Sequence, residues 1–151
     1  MRKLGDRYFF KLKLRLKTLI SMTVLFWSAF SLAFTDPKVG GTVLVGENLK
    51  GKVPDAKGVL FVYARKPGVV GGPPLAVFRF ENPRFPQAFV ITAKNLIIKE
   101  QPFVGPVEVT ALYVPSGDPM IKKGGFRGQD EKQKVVELGV KNLNIKLTEA
   151  L

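Results

Sequence analysis

A chain of 151 residues with 24 Lys and Arg, 12 Asp and Glu, and neither Cys nor His suits one domain and excludes several chemistries at once. No Ser-His or Cys-His nucleophile pair can be built, nor a blue-copper site, a structural zinc site or a His-ligated haem site. The formal charge of +12 is shared between two unlike parts of the chain.

Residues 1–33 carry seven basic residues and one acidic residue, Asp6. The basic stretch runs into Leu19–Phe34 (LISMTVLFWSAFSLAF), which has no charge and ends on the small-x-small exit Ser31-Leu32-Ala33. This order of basic, apolar and small-residue regions predicts a secretory signal peptide cut after Ala33. The alternative is an uncleaved signal anchor, for which the apolar run is short against the roughly 20 residues of a spanning helix. Either reading places residues 34–151 outside the cytoplasm as a single domain, periplasmic and either free or held at the inner membrane. Membrane contact is expected only through the N-terminal segment.

The exported part has 17 basic and 11 acidic residues, with no block of one sign. That balance suits weak attraction to acidic partners and argues against nucleic acid. A domain of this size buries enough core to fold without disulfides.

In chain order, Thr42–Val45 is a first short strand and Gly46–Lys57 a turn-rich connection. Gly58–Arg65 is the strongest strand. Val59, Phe61 and Tyr63 point one way and Leu60, Val62 and Ala64 the other, so both faces are apolar and the strand belongs inside a sheet. A loop rich in Gly and Pro leads to Leu75–Phe80, with Pro73 and Pro74 at strand entry. Asn82–Pro86 is a bend and Gln87–Thr92 a third strand, while Ala93–Glu100 reads equally as strand or helical turn. Val107–Val114 alternates, with Val107, Val109, Ala111 and Tyr113 on one face. Pro115–Gly117 turns the chain, Lys122–Gln133 reads as a polar, mobile, Gly-rich loop, and Val135–Leu138 and Leu143–Leu147 close the domain. About seven short strands separated by turns predict an all-β, antiparallel β-sandwich, immunoglobulin- or cupredoxin-like, without a metal site.

Asp118, Asp130 and Glu131 are expected to be solvated turn acids, and Ser116 in PSGDP a turn residue. The candidate partner-binding rim is Arg65, Lys66, Arg79 and Arg84 with Phe85 and Phe103 in Pro-flanked bends. A hairpin of the two central strands is expected to bring Arg65 and Arg79 together at one rim, either as a basic cluster for a carboxylate or as strand-end arginines with packed stems.

Leu60-Phe61-Val62-Tyr63-Ala64-Arg65, Gly72-Pro73-Pro74-Leu75-Ala76-Val77 with Arg79, and Phe85-Pro86 follow one another in an order that resembles the C-terminal periplasmic domain of the cytochrome c maturation protein CcmI (CycH). Phe103-x-Gly105-Pro106-Val107, Ser116-Gly117-Asp118 and Phe126-x-Gly128 fit its second half. The resemblance implies a non-enzymatic accessory of c-type cytochrome biogenesis, without a cofactor, whose partners are apocytochrome c or components of the haem-ligation machinery. The chain is expected to be a stand-alone exported copy of that domain behind one signal, without the family's helical repeat region and paired membrane segments. The competing reading is a general envelope domain binding anionic glycans or lipid headgroups through its net charge.

Overall fold

The computed structural model describes residues 36–53 and 57–151. The expected signal segment, 1–33, lies outside the described residues. Eight strands form: β1 (Lys38–Val45), β2 (Val59–Arg65), β3 (Ala76–Glu81), β4 (Gln87–Thr92), β5 (Val107–Val114), β6 (Phe126–Asp130), β7 (Val135–Val136) and β8 (Leu143–Ala150). Short 3-10 turns follow β1 (Glu47–Leu49) and β4 (Ala93–Asn95).

All eight belong to one sheet, in the order β3-β2-β5-β6-β8-β1-β4, with β7 beside the start of β5. This corrects the expected two-sheet sandwich. Strand β5 bonds to both β2 and β6, so no break divides the sheet into layers. The sheet curls into a near-barrel whose inward residues from every strand meet in one core. Its free edges are β3 and β4. Just beyond β4 the chain bridges back to β3, where Ala76 pairs with Leu96 and Ile97 N–H donates to Leu75 O at 3.0 Å. Closing an edge in this way hides backbone groups that would otherwise recruit another strand.

The pairing is also not wholly antiparallel. β1 and β8 run parallel, with Gly41 opposite Leu143 and Val45 opposite Leu147. Strand β8 therefore sits between β1 and β6, and glycine makes both approaches close. A Cβ on Gly41 would fall 2.2 Å from Leu143 O, and one on Gly128 would fall 1.8 Å from Lys146 O. Gly128 also stands where β6 shifts register against β8.

Alternation sorts the strands as expected where it is strict. Val107, Val109, Ala111 and Tyr113 of β5, and Leu143, Ile145 and Leu147 of β8, are core. Residues 122–133 depart from expectation. Phe126–Asp130 is strand β6, central in the sheet, with Phe126, Gly128 and Asp130 turned inward. Two outward polar residues and a glycine give the segment the composition of a loop, but the close approach to β8 requires that glycine.

Candidate functional site

The outward face of β3, β2 and β5 carries Arg79 and Arg65, two of the six residues expected at the rim. Register places three rows across it: Glu81, Val59 and Val114; Arg79, Phe61 and Leu112; Val77, Tyr63 and Thr110. Arg65 and Glu108 continue the last two strands beyond these rows. Val59, Phe61, Leu112 and Val114 form a second buried cluster, separate from the main core, with Tyr63 and Val77 against it.

Arginine covers this cluster. The Arg79 guanidinium lies 6.0 Å from the Phe61 ring centroid and that of Arg65 lies 5.4 Å from Tyr63. Arg79 also pairs with Glu81 two residues on, and Arg65 donates to Gly71 O at 2.8 Å. The latter bond, with Gly68 N–H donating to Glu108 Oε1 at 3.3 Å, fastens the β2–β3 loop to the sheet. Further round, Arg127 of β6 and Glu149 of β8 make a two-pronged pair at 2.9 and 3.1 Å.

The expected rim does not assemble as one patch. Arg65 and Arg79 share a face, but Arg79 stands opposite Phe61, four residues from Arg65 along β2. At strand spacing that separates their rows by about 13 Å. Lys66 is exposed beside Arg65. Arg84 and Phe85 lie in the β3–β4 bend at the other end of the sheet. Phe85 is half-buried, its ring edge-on to Tyr113 at 6.2 Å, across a cis Phe85–Pro86 peptide. Phe103 is 3 % exposed and belongs to the core, so it can present nothing. Its Pro-flanked bend folds the ring inward instead of displaying it. Phe61, Tyr63, Glu81 and Glu108 were not nominated, although the two-sided apolar character of β2 was their signal: a strand with no polar face must have a second covered surface.

The acids divide in two. Asp118 sits in an exposed turn, its Oδ1 accepting from Met120 N–H at 2.9 Å, while Ser116 Oγ accepts from Asp118 N–H at 3.3 Å. Asp130 is not the solvated turn acid expected. It is buried, its Oδ1 accepting from Lys132 and Gln133 N–H at 2.8 and 3.1 Å and its Oδ2 from Asn144 N–H at 2.8 Å. Burial works to raise its pKa, but those three donors and the Lys132 charge outweigh it and hold the carboxyl below its ordinary value. Asp130 thus clips the end of β6 to the start of β8. Tyr113, fully buried, donates its hydroxyl to Lys57 O at 3.1 Å, and burial pushes its phenol pKa up. Among the described residues, no three Asp or Glu side chains gather closely enough to hold a metal ion.

The described residues thus form an all-β domain, a curled sheet around one main core with a small outer cluster on β2 and β5. Residues 39–146 match the family model described as the cytochrome c-type biogenesis protein H Ig-like domain, and the chain belongs to that family. An uncharacterized protein of Aquifex aeolicus (strain VF5) is 33% identical over 95 residues, 63% of this chain and 62% of that protein. This chain therefore aligns with about three fifths of the length of that relative. Among solved structures, an alternative pilotin from the type II secretion system of Vibrio cholerae superposes with a TM-score of 0.47 at 13% identity, covering 76% of this chain and 99% of the pilotin. No helix among the described residues is long and apolar enough to cross a membrane.

Proposed function

We propose that the domain is a non-enzymatic, periplasmic accessory of c-type cytochrome assembly, which binds apocytochrome c or a component of the haem-ligation machinery. The observation that carries this reading is the family match over residues 39–146, which takes in seven strands and the start of the eighth. The binding surface we assign is the outward face of β2 and β3. Arg65 and Arg79 lie there over Tyr63 and Phe61, and each guanidinium keeps donors free for a partner carboxylate. Aromatic rings under arginine are the composition that dominates protein-binding surfaces.

The test is capture of apocytochrome c and of haem-ligation components by the wild-type chain and by the Arg65→Glu, Arg79→Glu double variant. Both arginines are on the surface, so the variant keeps the fold and loses capture about tenfold or more. Undiminished capture by a folded double variant overturns the assigned face. Absence of capture by the wild-type chain overturns the proposed function itself.

A further inference from the structure

The strands hold five basic and four acidic residues, so most of the net charge of the domain sits in its loops. The loops gather at two ends. Register places the start of β1, the β2–β3 loop (66–75), the β4–β5 connection (93–106) and the β6–β8 connection (131–142) at one end, because Lys38 faces Thr92, Arg65 faces Glu108 and Asp130 faces Ile145. This end displays Val70, fully exposed, with Val69, Ile97, Ile98, Val104 and Val135 each about half-exposed or more. All six are β-branched. Its three connections carry six lysines and three glutamates. The opposite end has the same balance of charge, but exposes only Met120, Ile121 and the C-terminal Leu151 as large apolar side chains among the described residues.

Isolated surface valines need no explanation, but six exposed apolar side chains in the loops of one end, among six lysines, call for one. The chain supplies a second observation. Lys38, the first residue of β1, lies at the apolar end, and only Thr35, Asp36 and Pro37 separate it from the uncharged run Leu19–Phe34. Where that run is kept as an uncleaved anchor, the chain enters the domain from it at this end.

We propose that the apolar end is a membrane-docking surface, its valine and isoleucine tips entering the interface of a bilayer while its lysines meet anionic headgroups. The tips contribute the burial of apolar area, and the lysines the attraction to negative lipid. The docking end borders the protein-binding face above at Arg65, which closes β2 and bonds to Gly71 of the 66–75 loop, whereas Arg79 stands further along the side of the barrel.

The absence of cysteine makes the test direct. Val70→Cys, Ile98→Cys and Met120→Cys, each in the full chain, are labelled with a polarity-sensitive fluorophore and reconstituted into vesicles. The lipid is phosphatidylglycerol with phosphatidylethanolamine, or phosphatidylcholine alone. All three positions are exposed, so the fold is undisturbed. In the anionic vesicles the labels at 70 and 98 shift to the blue and acrylamide quenches them about twofold less, while the label at 120 does not change. In phosphatidylcholine, or at high salt, the labels at 70 and 98 return toward the value at 120. The proposal fails if 70 and 98 stay as quenchable as 120 in anionic vesicles. It fails equally if all three respond alike, if phosphatidylcholine gives the same protection, or if protection needs an added protein.

Discussion

Strands β2 and β5 each feed two clusters, and the clusters are built differently. Leu60, Val62, Ala64, Ala111 and Tyr113 point into a core shared by every strand. Phe61, Val59, Leu112 and Val114, one residue out of phase, point outward into a patch that two strands supply alone. The inner residues are covered by the curl of the sheet itself. Among the outer ones, Phe61 lies under the Arg79 guanidinium and Val59 under the turn around Gly117. The same alternation thus makes a fixed interior on one side and a removable cover on the other. The first determines stability, and the second is where a partner can compete with the protein's own arginines.

The largest test of this contrast is a pair of substitutions. Leu60→Ala should cost about 2–5 kcal/mol, because the closed core cannot collapse onto the gap. Phe61→Ala, adjacent in sequence but outward, should cost about 1.5–3 kcal/mol, the transfer term without a sealed cavity. Urea unfolding of the two variants measures the difference, and equal losses would break the distinction between fixed and removable cover.

Asp130 extends the comparison to pH. Its carboxyl is held below its ordinary pKa in the fold, so the stability it supplies is present above the unfolded value of about 3.9 and is lost as pH falls through the lower folded value. Asp130→Asn should cost about 1.5–3 kcal/mol near neutrality, the worth of hydrogen bonds to a charged acceptor. The variant should also lose stability more gently than wild type in acid. Thermal unfolding between neutral pH and the acid limb reads both effects, and parallel acid limbs would remove Asp130 from the account.

The smallest effect belongs to the cover. Arg79→Ala removes a guanidinium over a ring and a surface ion pair, together about 0.5–1 kcal/mol. Binding of a dye that reports exposed apolar surface should rise as Phe61 is uncovered, although the melting curve hardly moves.

The sequence makes the regular parts of this molecule legible and leaves the irregular ones hidden, for reasons that can be named. β8 is clear because one buried face imposes a period of two on its residues, and β2 because cover on both faces makes it a continuous apolar run. β6 is hidden because its inward positions are Phe126, Gly128 and Asp130, only one of which is a large apolar residue. Asp130 is inward because three backbone donors meet it, and those donors come from residues 2, 3 and 14 positions away, which no local pattern encodes. The parallel pairing of β1 with β8 joins segments about a hundred residues apart. Gly41 allows this close approach, as Gly128 allows that of β6 to β8. For the candidate site, the arginines were visible and their arrangement was not, since a hairpin reading leaves the register of Arg79 against Phe61 undetermined.

The parallel contact has a mechanical consequence. Because β1 and β8 run the same way, the start of β1 and the end of β8 leave the sheet at opposite ends. Tension applied between them acts along both strands, so the five paired positions from Gly41–Leu143 to Val45–Leu147 are loaded in shear and must yield together. An antiparallel pair gripped at adjacent ends would unzip one bond at a time.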